Sequence, residues 1–148
     1  MRALIQRVSK GSVSIDNRVR SSIGPGYVIL LGIYKDDSEK DIEKLIPKVL
    51  NLRIMDDENG VMNRSIRETQ GEILVVSQFT LCADTKKGRR PSYINAMRPE
   101  DAKPLYEQFI QKLTIENVSV KTGVFGALMR VEIINDGPVT ILLDSSQM

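Results

Sequence analysis

The chain has 148 residues, of which 41% are hydrophobic and 27% charged, and a formal net charge of +2. These values exclude a disordered chain and predict one globular domain, residues 1–148, while so small a charge does not by itself announce a nucleic-acid binder. The lone cysteine, Cys82, excludes an internal disulfide and a Cys-based zinc site, and the absence of histidine removes His-dependent nucleophilic catalysis and the usual proton shuttle near neutral pH.

The first residues, Met1 to Ser14, are charged and alternating, with no long apolar run. This predicts neither a signal peptide nor a membrane span, and a cytoplasmic location. Arg2 to Ser9 and Ser12 to Ile15 alternate polar with apolar around Gly11, which predicts a hairpin or two successive strands. Asn17-Arg18 permits a turn before a short strand, Val19 to Ile23. Gly24-Pro25-Gly26 marks another turn. Tyr27 to Tyr34 is nearly all apolar, as a central strand buried on both faces should be.

Ser38 opens a helix, with Asp41 placed to complete a capping box. Ile42, Leu45, Ile46, Val49 and Leu50 share one face of it. Pro47 is expected to kink or end this helix. Leu52 to Met55 reads as a short strand. The acids from Asp56 to Glu58 lack the spacing of a calcium loop, and Asn59-Gly60 reads as a hairpin turn. Glu72 to Leu81 is the strongest strand pattern. After it come a loop from Cys82 to Pro99 and an amphipathic helix from Pro99 to Leu113. Val118 to Thr122, Leu128 to Asn135 and Val139 to Asp144 complete the strands, with a frayed tail from Ser145 to Met148. Helices falling between strands predict a mixed α/β fold with helices on one face of the sheet system.

Four segments carry candidate chemistry. Ser77-Gln78-Phe79-Thr80-Leu81 turns polar while its strand pattern continues, either as the donor rim of a pocket or as a strand end satisfying its own backbone. No base stands near to activate Ser77 or Thr80, which disfavours a covalent mechanism. Lys86, Lys87, Arg89 and Arg90 make a focused positive loop that suits either phosphate contact or plain solvation. Phe125, between Gly123 and Gly126, is placed either to stack on a base or to plug the core. Gly137-Pro138, ahead of Val139, is a turn or a cis pair.

Together these segments resemble the D-aminoacyl-tRNA deacylases from Met1 to Asp144. Ser77 to Leu81 and Asn135-Asp136-Gly137-Pro138-Val139-Thr140 stand as two intact signatures. Gln6-Arg7-Val8 with Gly11-Ser12-Val13 resembles the family's opening strands, and Thr122 to Ala127 with Met129 its adenosine-side segment. The resemblance implies a three-layer β/β/α fold with barrel-like sheets, and a homodimer with active sites at the interface. It implies an aminoacyl-tRNA partner and no metal or cofactor. Ser77, Gln78, Phe79 and Thr80 would form the catalytic segment, and Phe125 and Met129 would hold the terminal adenosine. Gly137 and Pro138, as a cis pair, would reject L-amino acids in chiral proofreading. D-amino acids would be admitted, as would glycine mischarged on tRNA-Ala. Catalysis would rest on position, oxyanion stabilisation and the substrate's 2′-hydroxyl. The competing readings are a non-catalytic tRNA-binding module, a purely structural dimer, and a deacylase acting on L-amino acids.

Overall fold

The computed structural model describes residues 1–148. Strand β1, Arg2–Ile15, is its spine, paired along both edges. On one edge lie β2 (Arg18–Ile23) and β3 (Gly26–Gly32), both antiparallel to β1 and separated only by Gly24-Pro25. On the other edge β8 (Arg130–Asp144) runs antiparallel to β1 from Arg2↔Asp144 to Ser14↔Arg130. The sheet continues from β3 into β6 (Glu72–Ser77) and then β7 (Ser119–Thr122), both in parallel pairing.

The break expected at Gly11 is absent, because Gly11 sits inside the ladder opposite Ile23 and Ile133. Its role is packing: a Cβ there would lie 2.6 Å from Val28 Cγ2. The two last strands expected around Gly137 also merge into one. Gln6 pairs with Thr140 and Val8 with Asn135, so Arg7 alone faces the four residues 136–139. Those four bulge out of a ladder that resumes on either side.

Helix α1 (Glu39–Asn51) starts at Ser38, whose backbone N–H and hydroxyl both donate to the Asp41 carboxylate (2.8 and 3.3 Å). It continues past Pro47, contrary to expectation. Pro47 lies on the exposed face, and its carbonyl accepts from Asn51 Nδ2 (2.8 Å). Five buried apolar residues on the other face contribute about 1.5–3 kcal/mol each, which outweighs a proline cost of about 3 kcal/mol. A one-turn helix, α2 (Ile66–Thr69), was not anticipated, although Ser65 and Glu68 form the capping box that signals it. Helix α3 spans Pro99–Thr114 as expected. β4 (Met55–Asp56) and β5 (Met62–Arg64) form the hairpin that Asn59-Gly60 predicts, with Gly60 at φ +73°.

Ala3, Ile5, Tyr27, Ile29, Leu31, Ile73 and Val75 face α1 and α3 and build the larger core. Val28, Leu74 and Val76 point the other way and meet Val13 and Ile23 from the far ends of β1 and β2. The sheet therefore coils back over itself, giving the expected three layers. Its two ends meet through side chains: Ser21 Oγ donates to Thr122 O (2.8 Å) and Lys121 Nζ to Ser22 O (2.6 Å). The barrel is nearly closed. The tail expected to fray begins with a fully buried Ser145, whose N–H donates to Met1 O (2.9 Å) and whose hydroxyl donates to Asp41 Oδ1 (2.7 Å). No helix is long and apolar enough to cross a membrane.

Candidate active site

β6 carries Ser77 into register with Leu31 of β3, and there the strand ends. Gln78 N–H donates to Leu31 O (2.8 Å), and the backbone then folds into a 3-10 turn over Phe79–Cys82. The strand expected to reach Leu81 stops four residues short, at Ser77. The cause lies in the neighbouring strand. A Cβ on Gly32 would stand 2.9 Å from Leu81 Cβ and 3.2 Å from Gln78 O, so only a bare glycine lets the turn fold down there. The first hydrogen bond of the turn runs from Leu81 N–H to Gln78 O (3.2 Å). The amides of Phe79 and Thr80 precede it and have no acceptor inside the turn. The Gln78 amide donates to the Thr80 hydroxyl, which ties the two side chains together.

The loop after β7 brings the second half of the site. Val75 O accepts both Gly123 N–H (3.0 Å) and the Tyr106 hydroxyl (2.9 Å), pinning this loop and α3 to β6 at one atom. Val124 N–H donates to Met129 Sδ (3.4 Å), and Met129 lies over Gly123, where a Cβ would come within 2.7 Å of the sulfur. The Phe125 ring rests against Tyr106 with centroids 5.5 Å apart.

Between the two segments is a cavity of about 620 Å³. Ser77, Gln78, Phe79, Phe125 and Met129 all line it; Thr80 does not, and acts on the wall through Gln78. Tyr93, Met97, Arg98 and Ala102 also line it and were not anticipated. Tyr93 stands edge-on to Phe79, centroids 5.0 Å apart. Ala102 belongs to the α3 stripe, but Tyr93 and Arg98 sit in or beside an irregular loop, where no periodicity marks a direction.

The wall contains no carboxylate, lysine, cysteine or histidine; Arg98 and Tyr93 are its ionisable groups. Cys82 is buried behind it, and burial pushes its thiol up to about 11, so it is protonated at neutral pH and no nucleophile. Nowhere do three His, Cys, Asp or Glu side chains gather in a way that could hold a metal ion. What the wall offers is shape, an aromatic and sulfur-lined apolar surface, and amide and hydroxyl hydrogen bonds.

Gly137 and Pro138 are not at this cavity within one chain. Their peptide bond is cis, and both residues are exposed. They stand opposite Arg7, which pairs with Tyr27, whereas the cavity is reached at Leu31, about 13 Å further along β3. Buried Arg7 braces this tip: Nε donates to Asp136 O (3.2 Å), and Nη1 to Ile54 O (2.8 Å) and Asp56 Oδ1 (2.7 Å). Asn135 Nδ2 closes its base by donating to Arg7 O (2.9 Å) and Val139 O (3.0 Å). Lys86, Lys87, Arg89 and Arg90 are exposed at the end of a loop closed by the Asp84↔Ser92 bridge, and none of them forms an ion pair.

The cavity thus opens at the strand ends of a strand-rich α/β barrel with helices on one face, and its wall holds no carboxylate, lysine, cysteine or histidine. The sequence profile of the family described as D-Tyr-tRNA(Tyr) deacylase matches residues 4–144, and the chain belongs to that family. A D-aminoacyl-tRNA deacylase of Bacteroides fragilis (strain YCH46) is 59% identical over 146 residues, covering 98% of this chain and 97% of the relative. One of Aquifex aeolicus (strain VF5) is 53% identical over 148 residues, covering 100% of both. A solved structure of a c-Myc DNA unwinding element binding protein superposes with a TM-score of 0.93 at 43% identity, over 97% of this chain and 98% of that one. A structure described as a probable eukaryotic D-amino acid tRNA deacylase shares the fold, with a TM-score of 0.81 at 16% identity, over 96% and 97% of the two chains.

Proposed function

We propose that this protein hydrolyses the ester of D-aminoacyl-tRNA, releasing free D-amino acid and tRNA. The observation that carries this reading is the cavity itself, which joins Ser77, Gln78 and Phe79 to Phe125 and Met129 without a carboxylate, histidine, lysine or cysteine in its wall. A ribose ester suits such a site. It is activated relative to an amide, and the neighbouring 2′-hydroxyl of the substrate can assist the attacking water. Water adds to the carbonyl carbon, and the developing oxyanion takes hydrogen bonds from the amides of Phe79 and Thr80. The tetrahedral intermediate then collapses with the ribose oxygen leaving and taking up a proton. A donor aimed at an oxyanion is worth about 10²–10³ in rate. Phe125 and Met129 hold the terminal adenine, and the Lys86, Lys87, Arg89 and Arg90 loop meets tRNA phosphates.

The active unit is a homodimer. Gly137 and Pro138 project from one chain and enter the cavity of its partner, where their carbonyls receive the substrate's amino group and leave no room for an L side chain. D-amino acids and glycine, including glycine mischarged on tRNA-Ala, pass this filter. The exposed, firmly braced tip supports this reading, because within its own chain it serves no site.

The test is hydrolysis of matched D-Tyr-tRNA and L-Tyr-tRNA with metals chelated. Release of the D-amino acid alone is expected. Hydrolysis of neither, with tRNA still bound, would replace this reading with a non-catalytic tRNA-binding module.

A further inference from the structure

The carbonyl of Leu81 is the first that the 3-10 turn leaves over. Ala83 N–H closes the turn on Thr80 O (3.2 Å), and Asp84 N–H is taken by Ser92 O (2.8 Å). A carbonyl at the end of a turn needs a donor from elsewhere. Leu81 O has two: Arg2 Nη1 (3.1 Å) from the start of β1, and the Tyr34 hydroxyl (3.3 Å) from just beyond β3. Both donors are themselves fixed. Arg2 Nε donates to Asp144 Oδ2 (2.8 Å) at the end of β8, and the guanidinium lies over the Tyr34 ring, 5.1 Å from its centroid. Tyr34 N–H donates to Asp37 Oδ2 (2.6 Å), and its backbone bridges to Ala96 of the cavity wall. Neither Arg2 nor Tyr34 lines the cavity. The charge of Arg2 is matched by Asp144, so what it passes to the turn is position rather than field.

We infer that Arg2 and Tyr34 are positioning residues for the hydrolysis, and that their grip on Leu81 O sets the direction of the Phe79 and Thr80 amides. The inference rests on the role proposed for those two amides at the oxyanion. Along a 3-10 turn the carbonyls point towards its end and the N–H groups towards its start. This turn is a short unit of four residues, anchored in front by Gln78 N–H on Leu31 O (2.8 Å). Release of the Leu81 carbonyl lets the unit tilt about that anchor, and the amides lose their aim. The oxyanion forms only on the way through the transition state, so the loss falls on kcat. Substrate binding, assigned to Phe125, Met129 and the basic loop, is spared.

The experiment is steady-state hydrolysis of D-Tyr-tRNA by the native protein, Arg2→Met, Tyr34→Phe and the double variant, with the folded fraction of each measured by circular dichroism. Tyr34→Phe removes one hydroxyl and keeps the ring beneath Arg2, so it tests the clamp even if Arg2→Met fails to fold. Each single variant is expected to lower kcat per folded molecule by about ten-fold, part of the about 10²–10³ that outright loss of an oxyanion donor costs. KM should stay within about two-fold of native. The double variant should fall further, because Leu81 O then has no donor. Native kcat in Tyr34→Phe, or a loss confined to KM or to the folded fraction, leaves the two residues with a structural role only; it overturns the inference while the deacylase reading stands. No hydrolysis by the native protein would overturn that reading and the inference with it.

Discussion

Arg7 shows how much one side chain settles. It lies in β1, buried, with its guanidinium spent on the Ile54 carbonyl, the Asp56 carboxylate and the Asp136 carbonyl. Replacing it by methionine keeps much of the volume but leaves two carbonyls without donors and a carboxylate without its partner. Loss of one member of a buried charged pair costs about 3–5 kcal/mol, and the 44% exposure of Asp56 holds this case to about 3. Urea unfolding of Arg7→Met should show that loss. Its deacylation of D-Tyr-tRNA should fall and its discrimination against L-Tyr-tRNA should narrow, because the tip holding Gly137 and Pro138 is no longer braced. Unchanged discrimination would uncouple the Arg7 brace from the filter proposed at Gly137 and Pro138. The resemblance implies that Arg7 braces the Gly137-Pro138 segment, and its bond to Asp136 agrees; its acceptors at residues 54 and 56 were not visible in the sequence.

At the scale of elements, the join between β3 and the 3-10 turn is the most sensitive. Gly32→Ala would drive a methyl to within 2.9 Å of Leu81 Cβ and 3.2 Å of Gln78 O. The turn carrying Phe79 and Thr80 must then lift. The expected result is a drop of at least ten-fold in kcat/KM, larger than the shift in Tm would suggest; full activity would sever the turn from catalysis. The pairing of β1 with β8 has its own signature in acid. Burial by itself would raise the Asp144 carboxyl, but its bonds to Arg2 and Ser146 outweigh that and hold it at about 2. A carboxyl lower in the folded than in the unfolded chain stabilises fully above its unfolded value and loses that contribution as pH falls towards the folded one. The Arg2–Asp144 contribution therefore fades between about pH 4 and pH 2. Asp144→Asn should be less stable than the native chain at pH 6, by about 1–2 kcal/mol, with the gap closing near pH 2. A gap independent of pH would remove the ion pair from the account.

Elements with a repeating pattern were legible in the sequence: the α1 and α3 stripes, the β3 run and the Asn59-Gly60 hairpin. Errors fell where a distant neighbour decides. Gly11 looks like a break, yet it is a contact point for β3, and Gly32, unmarked inside an apolar run, is the contact point for the 3-10 turn. Pro47 was expected to kink or end α1; the helix runs on through it, because its exposed position let the buried face prevail. Ser77 to Leu81 stood out by composition; Ser77, Gln78 and Phe79 line the cavity, and the strand expected to run through them ends at Ser77. Tyr93 and Arg98 carried no readable signal, because a cavity wall gathered from loops has no period.

For the whole molecule, the open question is what covers β8 and the face beside it. Leu4 pairs with both Leu30 and Leu142, so three leucines stand in a row across β3, β1 and β8, on the face turned from the helices. Leu142 is 51% exposed at the end of that row, on a strand with a free outer edge. An apolar row beside an open edge suits the symmetric contact of the proposed homodimer. Leu142→Asp should shift sedimentation towards the monomer and abolish hydrolysis while leaving the circular dichroism spectrum unchanged. An active monomer would refute the proposal that Gly137 and Pro138 complete a partner's site.

The bulge at residues 136–139 has a further consequence. The ladder closes before and after it, so those four residues hold no register for their host. Their shape is held locally instead: Asp136 O and Val139 O accept from Arg7 and Asn135, and Gly137 sits at φ +123°, where a side chain would be strained. A change at Gly137 would therefore alter the shape of the tip without moving the register of β1 on β8, so the part of the chain proposed to meet a partner can be perturbed while the barrel stays as it is.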